Sequence, residues 1–534
     1  MAQVPIVLED ATDSAGVDFE HFAGRTGKHF LIETVASGLA TFDYDNDGWM
    51  DIYLLNGAPL EGATIVPAPK NRLFRNLGNM KFEDVTEQSG SGDLGFALGV
   101  AAADYDNDGD QDLFIANYGP NVLLENQGDG TFVRREFREI EKNNRVAAGV
   151  ALLDADGDGN LDLYFANYVE FTFDKAVNRT FFGVPAAPGP KEYSPDTHTL
   201  YHNRGDGTFR DVSRISNIGS VAGPGMGMVA FDYDGDRDTD IFVCNDSAAN
   251  FLFENKGSLQ FEEVALLAGV AYDVTGAQQA SMGADIADFD GDGDLDLVTT
   301  NFIDEIPTLY RNSGQGYFDD IGPKVGLGVA ARSLTWGVGF ADFDNDTWPD
   351  LFISTGHLIE GSSQVNDTEK FATPNFVLRN LNGRRFENIT ANVGSAGKAI
   401  QVSRGTALDD LDNDGDVDGV VLNLNARPQL IKNETQRANN FLQIQLVGNL
   451  ANRDAVGTNI RVQAGNKVLV QEVVAGRGYQ SHFGSVLHFG LGSHVGTTTV
   501  TVLWHSGQRQ EFRDIPANGR WLFRQSADAS VKLF

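Results

Sequence analysis

Asp43-Tyr44-Asp45-Asn46-Asp47-Gly48-Trp49-Met50-Asp51 decides the fold of this chain, because its acidic pattern, D-x-D-x-D-G-x-x-D, returns six more times in 534 residues. The first copy sets carboxylates at Asp43, Asp45, Asp47 and Asp51, and the second at Asp104, Asp106, Asp108 and Asp112. The third uses Asp154, Asp156, Asp158 and Asp162, and the fourth Asp232, Asp234, Asp236 and Asp240. The last three use Asp288, Asp290, Asp292 and Asp296, then Asp342, Asp344, Asp346 and Asp350, then Asp410, Asp412, Asp414 and Asp418. Position 6 is glycine in five copies and Arg237 or Thr347 in the other two. A hard cation such as Ca²⁺ takes six to eight oxygen ligands in flexible geometry, and alternating Asp side chains with a backbone carbonyl supply that set. A single copy is equally well a solvated acidic turn, since Asp, Asn and Gly dominate turns. Seven aligned copies point to cation loops, one Ca²⁺ to each. They are not EF-hands, whose loop ends in Glu at position 12; that position holds Leu54, Ile115, Phe165, Val243, Thr299, Ile353 and Val421.

The flanks read as strands. A glycine stands five residues before each first Asp (Gly38, Gly99, Gly149, Gly227, Gly283, Gly337, Gly405). Five residues after each last Asp stands Asn, or Thr355 in the sixth copy. Strand, loop and strand make a hairpin, and a third and fourth strand follow it, as in 71–76 and 81–86. Four antiparallel strands repeated seven times at spacings of 50–78 residues predict an all-β fold, a seven-bladed β-propeller over 1–435. The seventh unit lacks a fourth strand after Asn433, and residues 6–12 are expected to supply it and close the ring. Insertions at 57–70, 168–198 and 356–374 all leave from the Asn ends, so they are expected on the face opposite the cation loops. Ser37, Leu98, Ala148, Met226, Met282, Trp336 and Arg404 are expected to ring the channel mouth there. Trp336, Arg404 and, at an insertion start, His357 are the candidates for a ligand face; for His357 a loop hydrogen bond competes with a general base.

The net charge is −35, and 28 of the 75 acidic residues belong to the seven loops. Seven divalent ions would bring it to about −21, and an acidic surface excludes nucleic acid as a partner. No apolar stretch is long enough for a membrane span. Cys244 is the single cysteine. Residues 1–10 lack the pattern of a signal peptide, yet such loops are best filled where calcium is abundant. A secreted, extracellular or periplasmic location is therefore expected, with the leader absent from this sequence.

From Asn439 the aspartate pattern stops, and 440–526 alternate strand-like runs with Gly-rich turns, which predicts a small β-sandwich-like domain over 436–534. The repeats resemble FG-GAP (VCBS-type) repeats, the units of integrin α-subunit propellers. Asn452-Arg453-Asp454-Ala455-Val456-Gly457, Gly476-Arg477-Gly478-Tyr479, Leu487-His488-Phe489-Gly490-Leu491-Gly492 and Trp504-His505-Ser506-Gly507 resemble the ASPIC/UnbV domain. The pairing is similar to that of the cartilage acidic protein family, and 336–340, 356–357 and 403–405 fit it too. The resemblance implies an extracellular calcium-binding propeller, the loop aspartates its ligands, that serves adhesion or interaction with a protein or glycan partner. Some fungal sugar-modifying dehydratases resemble this architecture, so a carbohydrate-active lyase or isomerase is the alternative, and a matrix component the third reading. Relatives often carry a cysteine pair in the insertion of the third blade; 168–198 has none.

Arg204-Gly205-Asp206 spells an integrin-recognition tripeptide, but 203–209 repeats the turn at 126–132, so hairpin chemistry accounts for it. His482, His488 and His505 read as turns and strand ends of the last domain. Sequons at Asn178, Asn245, Asn366, Asn388 and Asn433 matter only in a eukaryotic secretory host. Asp288→Ala is expected to lower the melting temperature only when calcium is present.

Overall fold

The computed structural model describes residues 5–534 apart from 62, 64, 66, 138, 139, 141–144, 182 and 365–368. The sequon at Asn366 and parts of the insertions at 57–70, 168–198 and 356–374 lie outside the described residues. In every hairpin the second strand starts at the position-9 aspartate, as in Asp51–Leu54, Asp112–Gly119 and Asp240–Asn245. Seven four-stranded antiparallel units result, two of them joined into one sheet by the pairing of Arg145 with Gly119 and Val146 with Tyr118. Their innermost strands, from Leu39–Phe42 through Ser403–Asp409, neighbour one another in a closed cycle. The seventh unit is completed by Leu8–Asp10, paired antiparallel with Asn433, Lys432 and Ile431, as the missing fourth strand predicted. No helix among the described residues is long and apolar enough to cross a membrane.

Two rings of close contacts hold the units together. At the centre, the glycines before each loop let inner strands approach: a Cβ on Gly99 would sit 2.5 Å from Ala148 O, and one on Gly149 would sit 2.5 Å from Met226 O. Real Cβ atoms do not come so close, so only glycine fits. Farther out, each third strand ends in an asparagine: Asn76, Asn126, Asn203, Asn255, Asn312, Asn380 and Asn433. Its Nδ2 donates to the preceding unit, at the carbonyl of position 2 of that loop. The bonds run Asn126 to Tyr44, Asn203 to Tyr105, Asn255 to Ala155, Asn312 to Tyr233, Asn380 to Phe289 and Asn433 to Phe343, at 2.8–3.0 Å. Asn76 to Leu411, at 2.7 Å, closes the circle.

The C-terminal domain has two four-stranded sheets, with Asn440–Val447 and Arg520–Arg524 paired in parallel in one and Asn459–Ala464 central in the other. Its apolar side chains, Leu442, Val462, Val500, Trp504 and Phe523 among them, form one core with Phe114, Leu163 and Phe209 of the propeller. The domain sits on the aspartate-loop face. Between Glu472 and Leu487 the chain leaves the sheets and enters the central channel. There His482 O accepts from Thr41 N (3.0 Å), Gln480 O from Val100 N (3.2 Å), Ala475 O from Leu152 N (3.0 Å), and Gly478 O from Ala284 N (3.0 Å). The opposite mouth is covered by residues 17–36, held where Asn56 and Asn425 accept the N–H groups of Phe22 and Ala23. The channel is thus filled from one side and covered from the other.

Candidate metal centre

Each aspartate loop is built in the same way. The position-1 carboxylate accepts backbone N–H groups within the loop: in the fifth, Asp288 Oδ1 takes Gly291 N (2.8 Å) and Oδ2 takes Gly293 N (3.1 Å). The position-9 carboxylate ties the loop to its blade, Asp296 accepting from Asn312 N (2.8 Å) and Phe289 N (2.9 Å). Position 6 has a positive φ throughout, including Arg237 at 81° and Thr347 at 84°. A side chain in that conformation costs about 1–2 kcal/mol, and glycine, though more flexible when unfolded, avoids it. Arg237 is exposed, so Arg237→Gly is expected to raise stability by about 0.5–1 kcal/mol, read as a higher melting temperature; a lower one would refute the strain.

Position 3 differs from the others. Asp45, Asp156, Asp290, Asp344 and Asp412 each keep a buried Oδ1 with no hydrogen-bond donor among the described residues. A buried carboxylate oxygen without a donor is costly, and five of them recur at one point of one motif. Carboxylate oxygens of Asp43, Asp45 and Asp51, of Asp104, Asp106 and Asp108, of Asp232, Asp234 and Asp240, and of Asp288, Asp290 and Asp296 converge within 4.8 Å in each loop. Burial pushes Asp43 and Asp232 up to about 6, Asp288 to about 7 and Asp104 to about 8; neighbouring carboxylates add to this. A cation would complete such a cluster, and carboxylate oxygens with backbone carbonyls at hand suit a hard one. The residues therefore fit Ca²⁺.

The geometry changes what Asp288→Ala should do. Asp288 holds two loop N–H groups, so alanine removes structure as well as charge and lowers stability in chelator too. Asp290→Asn is the cleaner probe, because its Oδ1 has no protein donor to lose.

His202 is a contributor that sequence reading missed. Its Nδ1 lies 3.0 Å from Asp162 Oδ1, and its ring joins Asp156 and Asp158 as a possible ligand set. It occupies the position before the strand-ending asparagine, where Arg75, Arg379 and Lys432 pair with their own loops. That shared position was its only signal.

Among the described residues, hydrogen bonds join the C-terminal domain to six of the seven loops. Arg520 Nη1 donates to Gly48 O (2.9 Å), Asp454 Oδ2 accepts from Asp104 N (2.8 Å), and His505 Nε2 is 3.1 Å from Asp154 O. Glu472 Oε1 accepts from Asp232 N (3.1 Å), His488 Nε2 is 2.6 Å from Asn345 Oδ1, and Gln443 Nε2 donates to Asp410 Oδ2 (2.7 Å). His488 lies on a strand, as read, whereas His482 belongs to the channel segment; burial holds both near 3 and neutral.

The expected ligand face is closed over. Trp336 and Arg404 are 0% exposed and His357 5%. The Arg404 guanidinium stacks 3.9 Å from the Trp336 ring, and its Nε donates to Thr34 O at 2.9 Å. Trp336 packs edge-on to Tyr479, whose hydroxyl donates to Val35 O (2.7 Å). His357 Nδ1 accepts from Ile359 N (3.0 Å), and burial lowers its basicity. Ser37, Leu98, Ala148, Met226 and Met282 are likewise buried. The reason is that 17–36 folds across the mouth while Tyr479 fills it. Arg204-Gly205-Asp206 is a hairpin turn, with Gly205 at φ 67° and Asp206 Oδ1 accepting from Thr208 N (3.0 Å). The sequon residues Asn245 and Asn433 are buried.

The family profiles agree with this architecture. The FG-GAP-like repeat profile matches residues 43–115, 104–165, 193–243, 232–299 and 288–353, together more than half of the chain, and the ASPIC and UnbV profile matches 448–530. Cartilage acidic protein 1 of Homo sapiens is 25% identical over 500 residues, 88% of this chain and 69% of that protein. The Mus musculus protein of the same name is also 25% identical, over 88% and 70%. Among solved structures, an Agrocybe aegerita lectin, described with its recognition of non-reducing terminal N-acetylglucosamine, is 16% identical with a TM-score of 0.41, covering 73% of this chain and 87% of its own. Built of cyclically joined aspartate-loop hairpins and a distinct C-terminal β domain, this chain belongs to the FG-GAP-like repeat family and ends in an ASPIC and UnbV domain.

Proposed function

We propose that the protein is a calcium-stabilised interaction module, secreted or periplasmic, that presents its insertion loops to a protein or glycan partner. The observation that carries the calcium part is the recurrent buried position-3 oxygen without a donor, in five of the loops. The cation-loop face is taken up by the C-terminal domain, which leaves the opposite face for partners. There the insertion of the third blade forms a hairpin, Arg179–Phe181 against Val184–Ala186, with Phe181 37% exposed. Loops on a rigid scaffold are the usual carriers of binding. The lyase or isomerase reading drew on the family resemblance and on a pocket near Trp336, His357 and Arg404; all three are buried and engaged, so the interaction reading is favoured.

Calorimetric titration with CaCl₂ tests the site directly. Several ions per chain are expected, and each site at a hundred times its Kd adds about 2.7 kcal/mol, so the melting temperature should climb steeply with calcium. Asp290→Asn should remove one site and leave melting in chelator unchanged or higher. Equal melting of parent and variant across the calcium series would refute the fifth loop as a site.

A further inference from the structure

At two loops the C-terminal domain brings a carboxylate of its own. Asp454 Oδ2 accepts from Asp104 N and, at 3.1 Å, from Gln111 Nε2. Arg453, 3.8 Å from Asp104 Oδ2, offsets part of the charge there. At the Asp232 loop no cationic side chain among the described residues acts on the incoming carboxylate. Glu472 is 4% exposed, its Oε1 is held by Asp232 N, and its Oε2 has no hydrogen-bond partner among the described residues. Its electrostatic neighbour is Asp232, another carboxylate. A buried charge held against like charge is strongly unfavourable unless an opposite charge completes the group.

We propose that the C-terminal domain is a wall of the cation sites and that its docking is cation-gated, with Asp454 and Glu472 as the gate. A divalent ion in the Asp104 and Asp232 loops supplies the missing positive charge and draws both carboxylates in. Without the ion the buried Glu472 Oε2 is left unsatisfied, the domain lifts, and residues 475–483 withdraw from the channel. Linkage makes this reciprocal: an ion that favours docking is itself bound more tightly by the docked form. The proposal rests on the calcium reading above, and the experiment separates the two.

Hydrogen exchange of the full chain in CaCl₂ and in EGTA, beside a calorimetric calcium titration, provides the test. The amides of Gly478 and His482, bonded to Ala284 O and Leu39 O, should exchange at least about ten-fold faster in chelator. The amide of Ile321, bonded to Leu309 O within the fifth blade, should keep its protection. Glu472→Gln retains an acceptor for Asp232 N without the charge and should narrow the difference between the two buffers. Gly490→Ala would drive a Cβ into the Asp342 carboxylate, hold the domain off that loop and weaken calcium binding several-fold. If Gly490→Ala does not fold, Glu472→Gln decides. Calcium binding with equal protection in both buffers overturns the gate and leaves the calcium reading standing, as does exchange that rises everywhere together. No heat of calcium binding overturns both.

Discussion

Asn312→Ala is expected to destabilise the protein by about 3 kcal/mol, because one side chain is removed and two buried carbonyls and one part-buried N–H lose their partners. Asn312 Nδ2 donates to Leu295 O in its own blade (3.2 Å) and to Tyr233 O in the preceding blade (2.8 Å), while its Oδ1 accepts from Gly314 N (3.0 Å). Asn312 is 3% exposed, so water cannot replace these bonds without opening the seam. Each orphaned group costs about 1–3 kcal/mol, with some relief as the loop relaxes. Asn312→Asp is the sharper variant: it keeps the acceptor for Gly314 but turns a negative oxygen towards two carbonyls. Leaving that charge buried and unpaired should cost about 3–5 kcal/mol. Guanidinium unfolding followed by tryptophan fluorescence in fixed calcium measures both. A loss below about 1 kcal/mol for Asn312→Ala would mean that blade contacts rest on apolar packing and the asparagine ring is incidental.

That ring marks where the sequence stops being readable. The aspartate loops are local, with carboxylates spaced two and four residues apart, so seven copies announce themselves and their flanks give the hairpins. The closing strand, Leu8–Asp10, was legible because the seventh unit lacked a fourth strand. The terminal asparagines stood in plain view, but their partners are carbonyls of another blade, and a carbonyl leaves no trace in sequence. The position of the C-terminal domain was hidden for a related reason. Asp454 to Asp104 and Glu472 to Asp232 are single polar contacts between residues more than 200 apart, with no period to betray them. Trp336, Arg404 and His357 were placed at an open mouth because nothing in 17–36 shows that it folds across the propeller. What the sequence carried was the repeat; what it withheld was everything that breaks the repeat's symmetry.

Arg477→Met is expected to cost about 3–5 kcal/mol at neutral pH, the penalty for stranding its buried partner. Asp285 is 0% exposed on an inner strand; its Oδ1 accepts from Arg477 Nε at 2.6 Å, and its Oδ2 accepts from Phe340 N at 2.8 Å. Arg477 belongs to the segment that fills the channel, so this pair anchors the C-terminal domain to the fifth blade. Burial pushes the Asp285 carboxyl above its ordinary value while Arg477 opposes the rise. A carboxyl raised in the folded state favours folding below its unfolded value, near 3.9, and that contribution is lost as pH climbs through the folded value. Methionine removes the opposing charge and raises the folded value further. The deficit against the parent should therefore be greatest at pH 7–8 and shrink towards pH 5, as the stranded carboxylate takes up a proton. Asp285→Asn combined with Arg477→Met should recover most of the loss, because a neutral amide does not need the guanidinium. A deficit that is flat with pH and unrescued by the double variant would assign Arg477 a packing role against Phe483, over whose ring it lies at 4.8 Å, and would remove the ion pair from the account of how the channel segment is held.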